Sequence, residues 1–160
     1  VYRIDAPEVR ASALAELARW RARYGAVSPA RLLLQDAMRE VEQIPAQKNQ
    51  EKALGFLAMA YAEADDHTSA LSTAASIGNS AMRDRAYQQL TRKFATVANL
   101  NLAEQTAQAI DKEKTREQAL DSMATSIAGK IPPGQALGFV NRFESRRQQV
   151  RFLVVVAGRI

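Results

Sequence analysis

The residues with the widest chemical repertoire stand together at Asp65-Asp66-His67, where the single histidine of the 160-residue chain follows two carboxylates. Such a trio can hold a surface cation weakly, but a structural zinc site needs four well-placed ligands. The three therefore read as a solvated turn, and no metal is expected. Cysteine is absent, which removes disulfide and thiolate chemistry and leaves the redox compartment open. Serines and carboxylates occur without a second histidine, a glycine-rich phosphate loop or a metal-ligand helix motif. No catalytic residue and no cofactor is expected, and the chain reads as a non-enzyme.

Charge is the second chemical signal. Lys and Arg number 22 against 17 Asp and Glu, a formal balance of +5. The excess is uneven: residues 54–80 hold Glu63, Asp65 and Asp66 and no cation, whereas residues 114–160 hold eight Lys or Arg against Glu117, Asp121 and Glu144. A basic face suits an acidic partner or nucleic acid, with Arg142, Arg146 and Arg147 as its best candidates. Phosphate readers usually concentrate more charge and interleave aromatics for stacking. The expectation is a solvated arginine-rich helix surface, with nucleic acid an unlikely partner. Trp20, Tyr24 and Tyr61 are expected to be packing aromatics, because two of them fall on or near positions of regular apolar spacing.

That spacing is a repeat of 33 residues. Leu54, Tyr87, Leu120 and Leu153 form one column; Leu57, Leu90, Met123 and Val156 a second; Ala58, Thr91, Ala124 and Ala157 a third; Tyr61, Phe94, Ile127 and Ile160 a fourth. Steps of three, one and three trace one face of a helix. After a polar interval come Ala37, Ala70, Ala103 and Ala136, then Val41, Ala74, Ala107 and Val140, then Ile44, Ile77, Ile110 and Phe143. A second helix follows the first in each unit. Such a hairpin buries too little apolar surface to stand alone, so stacked hairpins sharing a core are expected.

Pro7 suits the first turn of a helix running to about Tyr24. Its Leu14, Leu17 and Ala18 match the first three columns but stand seven residues too far upstream, and Arg21 replaces the large apolar residue. A longer first helix or a longer loop through Gly25 to Pro29 is therefore expected. Ser28 and Pro29 read as cap and first turn of the next helix, which ends near Pro45. Later helices are expected at about 49–63, 68–76, 82–98, 102–110, 116–128, 135–143 and 148–160, with Gly78-Asn79 as a stop signal and Pro132-Pro133-Gly134 fixing a turn. The units are about 7–47, 48–80, 81–113 and 114–146, with a partial fifth at 147–160. The run Phe152 to Val156 is apolar on faces that should be outside, where a solvent-facing cap would be polar. This end is expected to meet more protein or a partner.

The ordered spacing Leu54, Leu57, Ala58, Tyr61, Ala70, Ala74, Ile77 resembles the tetratricopeptide repeat (TPR) family over nearly all of the chain beyond Ala30. The chain differs from that family in its period of 33 rather than 34, in lacking the proline near the end of each unit, and in carrying Ile77, Ile110 and Phe143 where a small residue is usual. Ankyrin repeats share the period, but their Thr-Pro-Leu-His signature is missing; HEAT-like helical pairs are the alternative. The resemblance implies an all-α fold, a right-handed α-solenoid of about nine helices. It also implies that the first helix of each unit lines a concave groove that holds a peptide or a partner's helix. Carried over residue by residue, the groove-facing places are Lys52, Gly55, Met59, Ala62 and Glu63; Arg85, Gln88, Arg92, Ala95 and Thr96; and Gln118, Asp121, Thr125, Ala128 and Gly129. The two-lysine, two-asparagine carboxylate clamp of some family members is not reproduced, since Gly55 and Met59 stand where it would begin.

The functional expectation is a protein-interaction scaffold that docks another polypeptide through the groove or through a C-terminal edge at Phe152, Val154 and Val155. The runner-up is a self-associating structural module of a larger bacterial assembly. No apolar run approaches the ~20 residues needed to span a bilayer, so a soluble protein of bacterial periplasm or cytoplasm is expected. The chain begins with Val1, read as a removed leader or as an excised piece of a larger protein.

Overall fold

Alanine and straight-chain residues lose little freedom in a helix, and they dominate the segments between the chain's Pro, Gly, Asn and Asp punctuation. The computed structural model describes residues 6–132, 134, 138, 140, 141, 143 and 145–158. Among them stand eight helices and no strand: α1 (Pro7–Arg23), α2 (Val27–Glu42), α3 (Gln47–Glu63), α4 (His67–Ala75), α5 (Ser80–Thr96), α6 (Leu100–Gln108), α7 (Glu113–Ala128) and α8 (Arg146–Ala157). Most of the helix expected at 135–143 lies outside the described residues, as do Pro133, Arg142 and Ile160.

The chain divides into two compact units, Val1–Ala86 and Tyr87–Ile160, with the division inside α5. In the first, α1 packs on α2 and α3, and α3 packs on α2 and α4. Its core holds Ala18, Leu34, Ala37, Leu57, Ala58, Ala70, Ala74 and Ile77. In the second, α7 packs on α6 and α8 around Leu90, Phe94, Ala103, Ala107, Ile110, Met123, Ile127 and Phe152. Alanine at so many contacts leaves little side-chain bulk between packed helices, which favours close approach.

The connections repeat one geometry. After α1, α3 and α5 the chain turns through a residue with positive φ: Gly25 at 79°, Asp65 at 53° and Ala98 at 57°. The amide of the next residue then donates back into the helix: Ala26 to the Arg21 carbonyl, Asp66 to Tyr61 and Asn99 to Phe94, at 2.9–3.0 Å. This is the left-handed helix stop that satisfies otherwise orphaned carbonyls. Asp66 and Asn99 immediately start the next helix, accepting from the amides of Ser69 and Leu102. His67 is thus the first residue of α4 rather than part of the turn.

Three expectations are corrected here. The seven extra residues lie neither in α1 nor in its loop: α1, α3 and α5 are each 17 residues long, whereas α2 has 16 against nine in α4 and α6. Seven residues are about two helical turns, so α2 is lengthened without changing its buried face. Ser28 does not cap α2, because the helix starts at Val27, and Pro29 sits in the first turn, where its missing N–H has no helical acceptor to lose. Asn79 is a start and not a stop: its Oδ1 accepts from the Met82 amide at 3.0 Å. Beside it, the Asn79 amide donates to buried Glu51 at 2.9 Å, and a Cβ on Gly78 would stand 3.1 Å from the same carboxylate oxygen.

Candidate protein-interaction surface

The groove-facing residues separate by burial. In the first unit Lys52 and Arg85 are exposed and Met59 is half-buried. Glu63 is held rather than open: its carboxylate takes the Arg19 guanidinium at 2.9 and 3.1 Å and Arg23 at 3.3 Å. The Glu63 hydrogen bond raises the Arg19 pKa above its ordinary value, so that ion pair stays charged. In the second unit Arg92, Gln118 and Thr125 are exposed and Gln88 is half-buried.

Asp121 departs from the expectation. It is buried and engaged from α8 by Arg151 at 2.9 Å and Arg147 at 3.3 Å. A carboxylate at this depth requires such partners, so Asp121 anchors α8 instead of facing solvent. Ala62, Ala95 and Ala128, also expected to face the groove, are fully buried. Their single methyl groups fill positions a longer side chain could not.

The α8 face splits in the same manner. Phe152 is fully buried and stacks at a tilt against Phe143, ring centroids 5.3 Å apart, so it belongs to the core and not to an exposed edge. Val155 is half-buried, while Val150, Leu153 and Val154 are exposed. Steps of three and four residues put these three on one stripe.

A second exposed stripe lies on α1, where Val9, Leu17, Trp20 and Tyr24 share a face and the two aromatic rings stack with centroids 4.7 Å apart. Trp20 is 54% and Tyr24 74% exposed, which corrects their assignment as packing aromatics. Leu17 is likewise exposed although its column is buried elsewhere. The buried face of α1 is Ala11, Ala15 and Ala18; the signal was present as a helix with two apolar faces, only one of which can be inside. Tyr61 does pack, and its hydroxyl donates to the buried Leu34 carbonyl at 3.2 Å.

Between α6, α7 and the start of α8, the second unit opens a cleft of about 520 Å³ whose lining includes Glu104, Glu113, Arg116, Glu117, Arg147 and Gln148. Of the candidate phosphate readers, Arg146 is exposed, Arg147 pairs with Asp121, and Arg142 lies outside the described residues. Among the described residues no three His, Asp or Glu side chains gather as metal ligands, and no helix is long and apolar enough to cross a membrane. Compared with protein-family models, curated proteins and solved structures, the chain matches none.

Proposed function

We propose that this chain is a non-catalytic, TPR-like interaction module, a right-handed α-solenoid of 33-residue helical hairpins that docks another polypeptide. The observation that carries the reading is the α8 stripe of Val150, Leu153 and Val154, left exposed beside a buried Phe152. Three aliphatic side chains on adjacent turns form the kind of contiguous apolar patch that partners cover. The recurrence of the left-handed stops at Asp65 and Ala98, 33 residues apart, supports the hairpin repeat. Groove contacts then fall to Lys52, Arg85, Gln88, Arg92 and Gln118, whose long polar side chains suit a peptide backbone, with apolar Met59 and the Thr125 hydroxyl beside them.

A second reading, self-association as a structural module, is favoured by the separate α1 stripe at Leu17, Trp20 and Tyr24. One chain with two different apolar faces can join α8 of one copy to α1 of the next. Light scattering over a wide concentration range, on the parent and on Val150→Glu/Val154→Glu, tests both. A parent mass that rises with concentration and falls to one chain in the variant supports self-association. A monomeric parent supports docking of a different polypeptide, with crosslinks from α8 to that partner expected in the parent and lost in the variant; their persistence would sink the α8 assignment.

A further inference from the structure

The cleft of the second unit carries more information than its shape. Its volume of about 520 Å³ is that of a ligand site, and Leu120 and Met123 of α7, with Phe143, make part of it apolar. Gln148 lines it from the first turn of α8. This side chain is 5% exposed, and its amide makes no hydrogen bond to any described residue. The amide is reached from the cleft rather than sealed in the core, so its donor and acceptor both stand open to whatever enters.

The rim supplies charge. Four carboxylates line the cleft against two guanidiniums, on a chain whose balance is +5. Arg147 is ion-paired with Asp121, and Arg116, which keeps its charge, is turned to the Ile110 carbonyl at 3.2 Å. Glu113 and Glu117, one helical turn apart and exposed, form no ion pair with any described residue.

We infer that this cleft binds an extended basic peptide, one in which an apolar residue neighbours a lysine or arginine. The peptide backbone satisfies the Gln148 amide, the apolar side chain covers half-buried Leu120, and the cation reaches Glu113 and Glu117. An acidic peptide would meet two unpaired carboxylates instead. This rests on the polypeptide-docking reading but places the occupant on a surface separate from the Val150–Leu153–Val154 stripe.

The test is an NMR titration of the whole chain with an acetylated, amidated heptapeptide of alternating leucine and lysine, beside a twin carrying glutamate for lysine. The Gln148 side-chain amide signals, assigned by their loss in Gln148→Leu, are expected to shift with the lysine peptide alone. Combining Glu113→Gln and Glu117→Gln, both at exposed sites, should weaken the lysine peptide about fivefold. Val150→Glu/Val154→Glu should leave that affinity unchanged, so failure of the α8 docking reading is distinguishable from failure of this one. Unmoved Gln148 signals at about 1 mM peptide, equal binding of the two peptides, or an unaltered affinity in the double glutamine variant would each overturn the inference.

Discussion

The Arg116 guanidinium donates to the Ile110 carbonyl oxygen at 3.2 Å, across the connection from α6 to α7. Arg83 does the same to Ile77 at 3.1 Å, and Gln149 to Phe143 at 2.7 Å. In each case a long donor reaches back six residues to the carbonyl of a buried apolar residue, and Ile77 and Ile110 stand just past the ends of α4 and α6, where no helical N–H is available. Gln50 varies the device by reaching the Val41 carbonyl at 3.2 Å.

Removing the donor while keeping the apolar stem isolates this bond. Arg116→Met should lower stability by about 1 kcal/mol, the worth of a hydrogen bond whose loss strands a partly buried acceptor. Arg116→Gln should recover most of that, since glutamine makes the same bond at position 149. Urea unfolding of the three proteins decides it, and equal loss in both variants would show that the arginine acts through packing or charge instead.

Much of the helical order was legible in the sequence because it rests on burial. Leu57, Leu90 and Met123 are buried as their column requires, as are Ala70, Ala103, Ile77 and Ile110. The polar column at 50, 83, 116 and 149 was equally periodic, yet a hydrophobic reading gives no weight to donors. The lengthening of α2 was hidden because two whole turns leave the apolar face in register. The candidate site was less legible. Of the expected edge Val154 is exposed, but Val155 is half-buried and Phe152, on the opposite side of α8, is inward, and helical angles alone could have separated them. Asp121 could not be placed without its partners, since the arginines that bury it stand 26 and 30 positions along the chain.

The three left-handed stops are not equivalent. An alanine at φ 57° carries a steric penalty that glycine avoids and that aspartate eases by local hydrogen bonding. Ala98→Gly should therefore stabilise the protein by about 0.5–1 kcal/mol, and Gly25→Ala should destabilise it by a similar amount. Asp65→Gly should change little. Thermal unfolding of the set tests the order, and an Ala98→Gly protein that melts below the parent contradicts the assigned turn.

Tyr61 gives the fold a distinctive alkaline signature. Burial, and after it the Asp66 carboxylate, push the hydroxyl pKa above its ordinary value. An unfolded tyrosine loses its proton near about pH 10, whereas the folded one keeps it to higher pH. Stability from Tyr61 is thus fully present below about pH 10 and is lost as pH rises through the folded pKa. Near neutrality Tyr61→Phe should be less stable than the parent by about 1 kcal/mol, for want of the bond to Leu34. From neutral pH to about pH 11 that gap should close, because only the parent must ionise a buried hydroxyl on the way up or unfold to do so. Urea midpoints of the two proteins across this range measure it; a gap that stays constant means Tyr61 titrates as freely in the folded chain as in the unfolded one.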